Sequence, residues 1–165
     1  MAKQRPKHRQ AVSTKRRGKA ASVARRRTAA RARPKANASP PKRQAFVASH
    51  HDPDACEQGL RRYAHDRDLG IAKATGGLAR AHVIRMIPPC DPAEVSKRHY
   101  HDVKFQMIYV LKGWMKGEYE GEVVTMREGS CWLQPPKIKH TVLDYSDDCE
   151  LLEIILPAEF DTVEL

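Results

Sequence analysis

At 165 residues the chain has room for one ordinary domain and an appendage. Its formal charge of +10 hides a division: residues 1–51 carry 16 Lys and Arg and no acid, whereas residues 52–165 carry 14 basic and 20 acidic residues, so the body is acidic and the high pI belongs to the tail. Cys56, Cys90, Cys131 and Cys149 are too far apart for a disulfide framework or a C-x-x-C zinc knuckle, and no run nears the ~18 apolar residues of a membrane span.

The N-terminus also lacks the apolar stretch of a secretory signal, so a cytoplasmic location is expected. Residues 1–45 use Lys, Arg, Ala, Ser, Thr and Pro almost exclusively, too little apolar bulk to offset the entropy of ordering, and are expected to be disordered. Three readings of this tail compete: a solvated extension with no dedicated role, a sequence-independent nucleic-acid contact, and an organellar presequence, which its prolines and lysines fit poorly.

The barrel region is expected over residues 46–165, with β-like stretches from Leu60 onward. Residues 81–86 (AHVIRM) are the first strand candidate, stopped by Pro88 and Pro89. Residues 105–111 (FQMIYVL) are the strongest, closed by Lys112-Gly113. Strands are further expected at 114–119, 122–126, 130–134, 140–143 and 150–156. Many short strands at regular spacing with Gly and Pro turns imply an all-β antiparallel sandwich or barrel. Within 105–111, alternation places Gln106, Ile108 and Val110 on one face and Phe105, Met107, Tyr109 and Leu111 on the other; both are largely apolar, as in a strand buried on both sides.

Residues 98–113 read RHYHDVKFQMIYVLKG. His99 and His101 are two apart, so on a strand both imidazoles point the same way and can reach one ion. Downstream, GSCWLQPPKIKH delivers His140 after a Pro-Pro turn. The first set, His99-x-His101, four residues, Gln106, six residues, Gly113, resembles the first motif of the cupins, with Gln where that motif has Glu and without its leading glycine. Gly129, Pro135, His140 and Asp144 fall on the spacing of the second cupin motif, with Lys137 in place of its glycine and Asp144 in place of its asparagine.

The resemblance implies a double-stranded β-helix, the cupin jelly-roll barrel. It also implies a metal held by His99, His101, Gln106 and His140. Glutamine offers a neutral carbonyl where glutamate would add a charge, so the ion keeps its full divalent charge. Such a centre suits Fe, Mn, Ni, Zn or Cu. The expected function is a metal-binding cupin acting on a small organic molecule by dioxygenase- or isomerase-like chemistry, with a non-catalytic ligand-binding cupin as the alternative. A homodimer is the expected assembly.

Other residues carry paired expectations. His82 and Arg85 lie on opposite faces of their strand, so one of them points inward; Arg85 is either an anion clamp or a surface residue. Glu153 is either an inward partner of the site, as support or general base, or a charge guarding an edge. Tyr109 is assigned to packing, and Trp114 and Trp132 to the core or a dimer interface. Cys131 and Cys149 are expected as buried, inert thiols. Asp102 either orients an imidazole or serves a turn, and His50 and His51 are set aside.

Overall fold

Period-two alternation governs the body of the chain, and a computed structural model shows what it builds. The structure describes residues 43–52, 54–58 and 61–165. The disorder expected over 1–45, and any nucleic-acid contact there, falls almost wholly outside the described residues. Eleven strands are found among those described: β1 (Glu57–Gln58), β2 (Ala64–Asp68), β3 (Arg80–Met86), β4 (His99–His101), β5 (Phe105–Lys112), β6 (Trp114–Tyr119), β7 (Glu122–Arg127), β8 (Cys131–Leu133), β9 (His140–Tyr145), β10 (Glu150–Leu156) and β11 (Thr162–Glu164). Two single-turn helices, α1 (Ile71–Ala74) and α2 (Pro92–Val95), interrupt them. None of the described helices is long and apolar enough to cross a membrane.

The strands form two antiparallel sheets, one in the order β1-β2-β3-β10-β5-β8 and the other in the order β11-β4-β9-β6-β7. The expected all-β jelly roll is what the chain adopts. Ile108, Val110 and Leu151 from the first sheet meet Met115, Met126, Val142 and Tyr145 from the second in one buried core. Each fully buried aliphatic side chain of this kind contributes roughly 1.5–3 kcal/mol. The helix α2 delivers the chain into β4. Asp91 caps it by accepting from the Ala93 amide at 2.9 Å, Pro92 opens its first turn, and Val95 is buried beneath.

The alternation assigned to β5 is correct, but its consequence is not. Gln106, Ile108 and Val110 point into the sandwich, whereas Phe105, Tyr109 and Leu111 are 37%, 38% and 40% exposed. The strand is buried on one side only, because no third layer covers the outer face among the described residues. Cys131 shares that outer face and is exposed, contrary to the expectation of a buried thiol. Cys149 is buried, and burial pushes its thiol up to about 12.

Two loop glycines of the motifs, Gly113 and Gly129, have φ of 68° and 83°, in the left-handed region where a side chain is strained. Lys137 takes the same region, with φ of 64°, at the place where the second motif has glycine. That substitution leaves the turn intact, and His140 still arrives at the start of β9.

Candidate metal centre

Strand pairing brings the three histidines together from residues far apart in sequence. His99 on β4 lies directly opposite His140 on β9, and Tyr119 on β6 lies opposite His140 on its other side. His101, two residues along β4, lies opposite Thr162 on β11. The imidazole centroids are 4.3 Å apart for His99 and His140, 5.0 Å for His99 and His101, and 5.2 Å for His101 and His140. One ring nitrogen from each lies within 4.8 Å of the others, and all three residues are buried.

The outer nitrogens of the rings are already committed. Nδ1 of His99 donates to the Lys97 carbonyl at 2.8 Å, and Nδ1 of His140 donates to the Ile138 carbonyl at 2.9 Å. A carbonyl only accepts, so in both rings Nε2 is left with its lone pair turned inward. His101 Nδ1 is tied to the Thr162 hydroxyl at 2.9 Å. Burial, reinforced by the Arg61 charge, lowers His99 to about 4 and His101 to about 3, and burial also lowers His140. All three are therefore neutral near pH 7, the form that binds a cation. Convergent lone pairs with their outer nitrogens fixed suit a divalent transition metal.

Arg61 enters this cluster from the segment before β2. Its Nη2 is 2.5 Å from His99 Nε2 and 3.4 Å from His101 Nε2, and its Nη1 donates to the Tyr63 hydroxyl at 3.1 Å. A guanidinium thus sits on the same lone pairs that would hold a metal. No sequence pattern announces Arg61, since 38 residues separate it from His99.

Gln106 faces the same cavity from the opposite sheet, so the expected fourth residue lies within the sandwich with the three histidines. Its Nε2 donates to Glu153 Oε1 at 2.6 Å, and Glu153 Oε2 meets His82 Nε2 at 3.0 Å. Burial alone would raise Glu153, but the His82 hydrogen bond and charge outweigh it and hold the carboxyl below its usual range. Burial would likewise lower His82, yet the bond to Glu153 raises it. The two form a buried ion pair beside the amide. Glu153 is therefore the inward alternative, and His82 rather than Arg85 takes the inner face of β3. Arg85 pairs with Glu150 at 2.9 Å near the surface.

The remaining candidates fall outside the centre. Asp102 pairs with Lys137 at 3.1 Å and orients no imidazole. His50 and His51 are exposed, and Tyr109 lies on the outer face. Trp132 faces inward and lines the cavity. Its indole N–H is buried with no partner at hydrogen-bond distance among the described residues, although it lies close enough to the Tyr119 hydroxyl to offset part of the rise that burial imposes on that phenol. Tyr119 stacks on His140 at 5.7 Å with the planes 12° apart. Sequence reading passed over Tyr119 and Tyr63, although alternation along β6 puts Tyr119 on the same face as Met115.

The cavity between the sheets measures about 120 Å³. Comparison with known proteins agrees with this architecture. Residues 90–155 match the family model of the cupin domain. Among solved structures, the polyketide cyclase RemF from Streptomyces resistomycificus superposes with a TM-score of 0.58 at 17% identity, over 73% of this chain and 86% of that one. KdgF from a Halomonas species gives a TM-score of 0.53 at 19% identity, over 67% and 96%. Salicylate 1,2-dioxygenase from Pseudoaminobacter salicylatoxidans, solved with gentisate, gives 0.52 at 11% identity over 66% of this chain but 30% of that one. No curated protein matches the chain in sequence. With both motifs in register on the jelly roll and three histidines gathered between its sheets, the chain carries a cupin domain over residues 90–155.

Proposed function

We propose that the protein is a metal-binding cupin that acts on a small organic molecule, with His99, His101 and His140 holding the ion and Gln106 as a neutral fourth ligand. The observation that carries this reading is the convergence of three buried imidazoles whose Nδ1 atoms are already engaged by neighbours. A bound divalent transition metal supplies Lewis-acid or redox chemistry to an oxygen-bearing substrate. The chain's own residues shape what enters. Arg61, the protonated hydroxyl of Tyr119 and the unpartnered N–H of Trp132 all line the cavity as donors, which favours a molecule rich in acceptor oxygens. Ile108, Met115 and Val142 close the rest of the wall and limit water. At about 120 Å³ the space is smaller than the ~300–1,000 Å³ of typical ligand clefts, and the Arg61 side chain crosses its histidine wall. The substrate is accordingly small unless Arg61 moves.

Oxidation or isomerisation is the chemistry this reading favours. A cupin that only binds its ligand is the second reading, favoured by Arg61, whose guanidinium already engages two of the three imidazoles. Elemental analysis of protein purified without added metal separates the two. Near-stoichiometric transition metal and a thermal midpoint that drops with chelator support the metal centre; absence of metal and indifference to chelator would sink it. A homodimer belongs to the same reading, with Phe105, Tyr109, Leu111 and Leu133 as the apolar outer patch, and sedimentation velocity tests it.

A further inference from the structure

The residue that sets this site apart is Gln106, and the structure offers a reason for it. Gln106 is 2% exposed, and the group it touches is a carboxylate, not water. Glu153 lies on the neighbouring strand, opposite Ile108, so it sits diagonally across from Gln106 on the inner face. Its other oxygen is taken by His82, which lies directly opposite it on β3. A row of three inward side chains therefore crosses β5, β10 and β3 as amide, carboxylate and imidazole. The Gln106 amide nitrogen donates to the carboxylate at 2.6 Å, so the NH₂ end of the amide faces Glu153. The carbonyl end is left for the cavity that Gln106 shares with His101 and His140.

We propose that Glu153 and Gln106 are a charge-exchanged pair: β10 carries the carboxylate that the first motif ordinarily places on β5, and Glu153 acts as a positioning residue that turns the Gln106 carbonyl toward the histidine cluster. The exchange gives a physical reason for glutamine at 106. Two carboxylates within about 3 Å cannot both ionise, and one would have to hold a proton or be forced apart from the other. With glutamine, the site keeps one carboxylate, one donor for it, and one neutral oxygen for the cation. His82 holds the carboxylate on its far side, so Glu153 is not free to swing in as a ligand itself.

This inference rests on the metal-centre reading for the role of the carbonyl, but the pairing itself is tested without metal. Four full-length proteins suffice: wild type, Glu153→Gln, Gln106→Glu, and the double exchange Gln106→Glu/Glu153→Gln. Two quantities are measured at pH 7, the thermal midpoint of metal-free protein and the Co(II) dissociation constant by competition with a chromophoric chelator. In metal-free protein, Gln106→Glu should lower the midpoint by about 5 °C, and the double exchange should recover most of that loss. For Co(II), Glu153→Gln should weaken binding about tenfold, and the double exchange should bind at least as tightly as wild type. Additive effects, with the double exchange no better than the sum of the single changes, overturn the pairing. If Glu153→Gln does not fold, the comparison of Gln106→Glu with the double exchange decides. Wild type that takes up no Co(II) removes the metal centre, and the midpoint cycle then still decides the pairing.

Discussion

On the proposed reading, Arg61 and a divalent ion would compete for one place. The guanidinium nitrogen is 2.5 Å from His99 Nε2, inside the volume where a metal bonded to that nitrogen at ~2.1 Å would lie. Metal binding must therefore push Arg61 aside, and even a few ångströms away its charge repels the ion by a few kcal/mol at an effective dielectric of about 20. Arg61→Met keeps most of the aliphatic bulk and removes the charge. It should tighten Co(II) or Zn(II) binding about tenfold or more, read by chelator competition. Unchanged or weaker binding would show that Arg61 does not contest the site. Thr162 acts in the opposite sense. Its hydroxyl fixes His101 through Nδ1, and Thr162→Val, nearly isosteric, removes that bond alone. Loss of such an outer partner typically costs 10–100-fold in metal affinity, so a drop of about tenfold is expected with little change in the thermal midpoint of the metal-free protein.

At the scale of strands, the pair His82–Glu153 links β3 to β10 inside the sandwich and makes stability depend on pH. Glu153 sits below its ordinary value of 4.5, so its contribution is present above that value and is lost as pH falls through the lowered one. His82 sits above its ordinary 6.5, so its contribution is complete below 6.5 and is lost as pH rises through the raised value. Asp66 adds to the rise of His82 and Arg80 opposes it. Wild type should therefore exceed His82→Gln in thermal midpoint most clearly at about pH 5–6, with the gap narrowing toward about pH 9. A gap that stays constant across that range would show that His82 is not charged in the folded protein. The strand pattern behind this pair was legible: seven stretches chosen for alternation and branched residues became β3 and β5 to β10, with ends shifted by a residue or two. Two short polar strands were not. Residues 64–68 (AHDRD) and 162–164 (TVE) are polar and short, and form because a neighbour offers unpaired backbone groups rather than because of their own apolar period. The site followed the same rule. His99, His101 and His140 were readable from spacing, whereas Arg61 and Thr162 reach the cluster through pairings that only the folded chain defines. The inward turn of Glu153 was one of two open readings, and the register of β10 with β3 and β5 is what chose it.

For the whole molecule, the uneven charge is the feature the barrel does not use. Sixteen Lys and Arg fall within residues 1–51 without one acid, while residues 52–165 carry a net negative charge. Averaging the two into a basic protein misplaces the charge: a polyanion would meet the tail, and the acidic body would repel it. A tail that contacts six or more phosphates should lose about 10³-fold in affinity between 50 and 200 mM salt, because binding then consists largely of counterion release. We therefore expect full-length protein to bind duplex DNA of unrelated sequences with equal strength and a steep salt slope. A chain beginning at residue 46 should not bind, while its Co(II) affinity should stay within about twofold, because among the described residues every group around the three histidines lies beyond that point. Fluorescence anisotropy of a labelled duplex against both proteins reads the first effect, and chelator competition reads the second. If truncation leaves DNA binding unchanged, the charge of the tail is not a nucleic-acid contact. If truncation instead weakens Co(II) binding, the tail bears on the metal centre, and the independence of the two halves fails.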